Sequence, residues 1–122
     1  AGLELDGEAL RAIARALPQD AGADPQIVEG PWTEEEAGTL ARFFRGSRLA
    51  EIPAQAAKRT LVLERLSLEF EPGLRYTERE VNGILQVFHP DYAALRRYLV
   101  DEGFLSRADG SYWRTGGRTD LR

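Results

Sequence analysis

Two arginines stand side by side at Arg96 and Arg97, within the stretch Tyr92 to Glu102, and three more, Arg107, Arg114 and Arg118, flank the short segment that follows. A guanidinium forks onto phosphate or onto the O6 and N7 of guanine, so arginines at this spacing suit the backbone and base edges of a nucleic-acid duplex. If 92–102 is a helix with Leu95 and Leu99 turned inward, Arg96 and Arg97 leave it toward the exposed side. Tyr92, Arg96, Arg97, Arg107 and Arg114 form the candidate DNA-binding set. Other roles suit the same residues. Arg97 stands one turn from Asp101, the spacing of a helical ion pair, and the hairpin arginines equally suit solvated strand surface.

Catalytic chemistry finds little to work with. The chain has no Cys and one His, so thiolate nucleophiles, zinc fingers and iron–sulfur clusters are excluded. His89 lies beside Pro90 in an apparent turn with no nucleophile motif around it, which suits a cap or a surface residue better than a base. Glu34–Glu35–Glu36 has the look of a cation site, yet acids in a first helical turn are what the helix dipole favours. There is no P-loop, no dinucleotide-binding glycine pattern and no zincin motif. The expectation is a protein that is not an enzyme and takes no metal or cofactor.

These residues need a frame to hold them. Asp6 is placed to cap a helix over 7–17 with Leu10, Ile13, Ala14 and Leu17 on one face, and Pro18 stops it. Residues 19–31, rich in Gly, Pro and Asp, read as a linker with at most a short extended piece at Gln26–Ile27–Val28. Thr33 with Glu36 forms a capping box behind Trp32 and opens a helix to Arg45 that ends at Gly46. Ser47–Pro53 is a connector able to supply an edge strand. The next helix, with Pro53 in its first turn and its interior running to Phe70, carries an apolar arc too wide for one wet face and belongs between two layers.

Leu74–Arg75–Tyr76 is short and extended, and Thr77 with Glu80 repeats the capping box. The helix it opens shows Val81, Ile84, Leu85 and Phe88 on one face, with Asn82 mid-helix either reaching a neighbouring helix or facing solvent. His89–Pro90–Asp91 turns the chain into the arginine-bearing helix, which ends at Gly103. Phe104–Arg107 and Ser111–Arg114 then flank Asp109–Gly110 as a hairpin. Tyr112 and Trp113 alternate across its second strand, so one belongs to the core.

Helix, strand, helix, tight turn, helix, hairpin is the succession of a winged helix-turn-helix. The expected class is therefore mainly α (α+β): a winged helix-turn-helix with additional N-terminal helices and a C-terminal hairpin wing. Its parts are 1–31 as strand, helix and linker, 32–114 as the winged domain and 115–122 as a flexible tail.

Several separated motifs in this order resemble one known family. They are Arg48–Pro53 (Arg-Leu-Ala-Glu-Ile-Pro), Lys58–Arg59, Phe70, Tyr76–Asn82 (Tyr-Thr-Glu-Arg-Glu-Val-Asn), Asp91–Gly103 and Asp109–Trp113 (Asp-Gly-Ser-Tyr-Trp). Over about 34–114 the chain is similar to the bacterial domain of unknown function numbered 2087. The resemblance implies a regulatory context, since such domains occur alone or behind an arsenical-repressor-type helix-turn-helix, and it brings no established catalytic residues. The opening Leu3–Leu10 also looks like the last wing strand and final helix of such a preceding domain. With no Met in the chain, the expectation is the C-terminal portion of a longer regulator.

Composition bounds the partners. With 122 residues, 43% apolar and 30% charged, one domain can form its own core. No apolar run reaches the roughly 18 to 20 residues of a membrane span, and the start lacks a signal-peptide pattern; no membrane partner and a cytoplasmic location are expected. The net charge of −4 is uneven: 1–72 hold eight basic and thirteen acidic residues, 73–122 hold eight and seven. Lys58 alone among sixteen basic residues is Lys, a bias that a GC-rich genome also produces. Two functions are expected. One is a transcription-regulator module that binds double-stranded DNA; the other is a dimerisation, effector-sensing or protein-interaction module, with a homodimer as partner.

Overall fold

The computed structural model describes residues 22–118. The strand and helix expected within 1–17 lie outside them. The fold is α+β: among the described residues, five helices and two small antiparallel sheets. In chain order these are α1 (Pro25–Val28), α2 (Glu34–Phe43), β1 (Phe44–Arg45), β2 (Arg48–Leu49), α3 (Ala56–Ser67), β3 (Arg75–Thr77), α4 (Glu78–Gln86), α5 (Tyr92–Asp101), β4 (Leu105–Ala108) and β5 (Ser111–Arg114).

Both capping boxes are formed. The Thr33 hydroxyl accepts from Glu36 N–H while the Glu36 carboxylate accepts from Thr33 N–H, and Thr77 with Glu80 repeats the exchange at α4. Each satisfies two backbone donors that a helix start leaves without partners. α5 is capped by Asp91, whose carboxylate accepts from Ala94 N–H, while His89 Nδ1 accepts from Asp91 N–H. His89 thus serves the turn.

α2 stops two residues before the expected Arg45, because Phe44 and Arg45 extend and pair with Leu49 and Arg48 around Gly46 (φ 61°). α3 begins at Ala56, not at Pro53, and leaves its last residues to i→i−3 bonds from Leu68, Glu69 and Phe70. Its wide apolar arc is used as expected, with α2 against one side and α5 against another. Leu40, Phe44, Val62, Leu63, Leu66, Phe70, Val81, Leu85, Leu95, Leu99, Leu105 and Tyr112 form one continuous core. Burying each such side chain contributes about 1.5–3 kcal/mol.

One expectation is corrected. The extended piece at 26–28 is instead a helical turn, with Asp24 as cap and Pro25 in its first turn, and Ile27 is buried in the core. The Arg65 Nε–H donates to the carbonyl of Ile27 at 2.8 Å, and Ala23 bridges Gly46. A linker composition is overridden here by one apolar anchor and one buried arginine. Of the stretch 115–122, residues 115–118 are described, and Arg118 is held: its Nε donates to Glu64 at 2.9 Å and its Nη1 to Glu36 at 2.8 Å, beneath the Trp32 ring. Gly116 makes this path possible, since a Cβ there would stand 2.6 Å from the carbonyl oxygen of Gly103.

The three-stranded sheet runs β3-β5-β4, with Tyr76 opposite Tyr112 and Arg107 opposite Tyr112 on the other side. Asp109 (φ 52°) and Gly110 (φ 78°) turn the hairpin, both left-handed as a two-residue hairpin turn requires. The alternation at its second strand resolves cleanly. Tyr112 is 2% exposed in the core, and Trp113 faces the other way under the Arg75 guanidinium, 4.1 Å from its ring centroid.

Candidate functional site: a cleft between α5 and the hairpin

A cleft of about 180 Å³ lies between α5 and the hairpin, lined by Ala93, Arg96, Arg97, Val100, Asp101, Arg107 and Tyr112. Its geometry follows from two periods. Helical spacing puts positions 93, 96, 97, 100 and 101 along one stripe of α5, since Leu95 and Leu99 take the opposite side into the core. Strand pairing puts Arg107 opposite Tyr112, so both share the sheet face toward α5, and the Arg107 guanidinium lies 5.8 Å from the Tyr112 ring centroid.

Three of the five residues expected from the sequence therefore meet at one place: Arg96, Arg97 and Arg107. Arg97 and Arg107 are exposed, and among the described residues neither has a carboxylate within salt-bridge distance. The Arg97–Asp101 ion pair allowed by spacing is not formed, although both side chains line the cleft.

Arg96 is held differently. Its Nη1 donates to Asn82 Oδ1 on α4, and its Nη2 lies 3.8 Å from Glu78 Oε2. Asn82 thus takes the helix-to-helix role and not the solvent one. The other Glu78 oxygen accepts from the Tyr112 hydroxyl at 3.2 Å. One carboxylate in the first turn of α4 therefore joins α5 to the hairpin.

Two expected site residues lie elsewhere. Tyr92 is half-buried against the core and does not line the cleft. Arg114 does not line the cleft either: its guanidinium donates to the carbonyls of Phe70, Gly116 and Arg118. Arg118 is likewise engaged with Glu36 and Glu64, and that pairing raises its pKa while holding the Glu36 carboxyl below its ordinary 4.5, through the hydrogen bond from Arg118 and then that from Thr33 N–H. Nothing local in the sequence signals the pairing of Arg114 with Phe70 or of Arg118 with Glu64 and Glu36, which join residues 44, 54 and 82 positions apart.

Around the cleft, β2 fastens the C-terminal end of α4. Leu49 N–H donates to Phe88 O at 2.8 Å, and the Arg48 guanidinium donates to Val87 O at 2.9 Å. Arg59 of α3 lies over the Tyr98 ring of α5 at 4.7 Å, and Thr60 donates to Glu102. These are the contacts that begin with Arg48 and close with Arg114. The same span, residues 48–114, matches the sequence profile of a family described as an uncharacterized protein conserved in bacteria (DUF2087).

The chain belongs to the DUF2087 family. The matched span contains the whole cleft and every residue that shapes it, from Glu78 and Asn82 on α4 to Tyr112 on β5. α1 and α2, and the Arg118 contacts that join α2 to the hairpin's end, lie outside the DUF2087 match. No match is found among curated proteins or among solved structures. Among the described residues, no group of three or more His, Cys, Asp or Glu side chains is placed to share a metal ion. No described helix is long and apolar enough to cross a membrane.

Proposed function

We propose that this protein is a non-enzymatic transcription-regulator module that binds double-stranded DNA, with α5 as the helix that enters the major groove and the β4–β5 hairpin as a wing on the flanking backbone. The succession α3, β3, α4, α5, β4, β5 supports a winged-helix reading, as does the pairing of β3 with the second hairpin strand. The observation that carries the reading is the convergence of Arg97 and Arg107 on one exposed cleft between helix and hairpin. A phosphate there would meet one guanidinium from each element, and on this reading Arg97 also reads a base edge. On this reading the protein works in the cytoplasm, where bacterial DNA lies.

Acidic neighbours temper the affinity. Asp101 lines the cleft, and Glu78 and Glu80 occupy the first turn of α4, where a phosphate would otherwise find helix-end N–H groups. Binding to a random duplex should therefore be modest and strongly salt-dependent. Each phosphate neutralised contributes a slope of about −0.9 in log affinity against log salt. Fluorescence anisotropy of a labelled random duplex across a salt series tests this. Arg97→Ala and Arg107→Ala should each flatten the slope by about one unit. Affinity that does not change with salt, or is absent at low salt, contradicts the reading.

A second reading rests on a different surface. Tyr76, Glu80, Gly83, Ile84 and Val87 line a shallow, mostly apolar groove beside α4, with Val87 55% exposed. Exposed apolar surface of this kind suits a protein contact, including a homodimer. In that role the arginine cleft would be a rim and duplex affinity would stay weak.

A further inference from the structure

The arginine cleft contains a third guanidinium that points toward it without being fully available to it. Arg96 lines the cleft, yet its side chain is only 22% exposed, bound at one end to Asn82 and facing Glu78 at the other. We propose that Glu78 is a specificity-determining residue of this cleft: its carboxylate competes with an incoming phosphate for Arg96 and so limits how many cations the cleft offers to a polyanion. The proposal rests on the DNA-binding reading of the same site.

Three features hold Glu78 in that role. It is the first residue of α4, where the helix dipole stabilises a negative side chain. The capping box of Thr77 and Glu80 fixes the backbone at that turn. The Tyr112 hydroxyl, buried in the core, donates to Oε1 and leaves Oε2 turned to Arg96. Glu78 itself is 55% exposed, so a phosphate can approach it closely enough to be repelled. A phosphate that recruits Arg96 must therefore draw its guanidinium from a carboxylate, or bring its own charge beside one. Sites that approach α5 closely enough to displace Glu78 gain a third cation. Backbone met in passing gains only Arg97 and Arg107. The carboxylate thus weakens indiscriminate binding more than it weakens a well-seated complex.

The experiment is a double-mutant cycle on duplex affinity with the full chain. Glu78→Gln keeps an acceptor for Tyr112 and removes the charge. Glu78→Asp keeps the charge on a shorter side chain, farther from Arg96. Both should raise affinity for a random duplex several-fold near 0.1 M salt and steepen the salt slope by about 0.9, the value of one added phosphate contact. In an Arg96→Gln background neither change should have an effect beyond that of bulk charge. Equal gains from Glu78→Gln with and without Arg96, or no gain from either variant, would overturn the proposal while leaving salt-dependent binding by Arg97 and Arg107 intact. Absence of salt-dependent binding in the parent and in every variant would instead bring down the DNA reading itself.

Discussion

Arg118 and Glu64 meet across 54 positions of chain, and the backbone N–H and Nε of Arg118 both donate to the same Glu64 oxygen, at 2.8 and 2.9 Å. With Glu36 on the remaining nitrogens, the last described residue draws α2, α3 and the end of the hairpin together. This strap gives the fold a specific response to acid. Glu36 has a lowered pKa in the folded protein, so its contribution is fully present above its ordinary 4.5 and is lost as pH falls through the folded value. Thermal unfolding as a function of pH should show Glu36→Gln less stable than the parent near neutrality, with the difference closing below 4.5. A difference that does not change over that acid range would contradict the ion-pair account.

The two capping boxes should be separable in their consequences. Thr33→Ala and Thr77→Ala each leave a first-turn N–H without its side-chain acceptor, at a cost of about 1 kcal/mol. Urea unfolding measures both. Only Thr77→Ala should also alter duplex binding, raising affinity for a random duplex, because Thr77 seats the turn that carries Glu78 and a loosened Glu78 no longer holds Arg96 from phosphate.

Arg65 tests the docking of the segment before α2. Arg65 is 7% exposed, and its guanidinium donates to the Ile27 and Gln26 carbonyls as well as to Glu69. Arg65→Ala leaves a buried carbonyl unpaired, which costs about 1–3 kcal/mol. Limited proteolysis should then cut within 22–31 faster than in the parent. Equal rates would mean that Ile27 alone holds the segment.

Local patterns in the sequence carry most of the fold. Thr33 with Glu36, Thr77 with Glu80 and Asp109–Gly110 are short-range signals whose partners lie within three residues, and each element they announce is formed. Leu95 and Leu99 likewise set the orientation of α5, which is why the exposed side of Arg96 and Arg97 is legible from helical spacing alone. Long-range pairings were not legible in this way. Gly116–Gly117 reads as a loose tail unless one knows that Gly116 passes against the Gly103 carbonyl, and Arg114 reads as a wing cation unless Phe70 is known to lie within reach. The dipeptide composition of 22–31 likewise conceals that Ile27 has a place in the core.

The central claim is that Arg97 and Arg107, one from a helix and one from a hairpin, act together on one duplex. Charge reversal of both, Arg97→Glu with Arg107→Glu, measured by duplex mobility shift alongside light scattering, tests it most directly. The account predicts that duplex binding is lost at a salt concentration where the parent binds, while the molar mass in solution is unchanged. Duplex binding equal to the parent's, with a change in self-association instead, would contradict it and assign the cleft to protein contact.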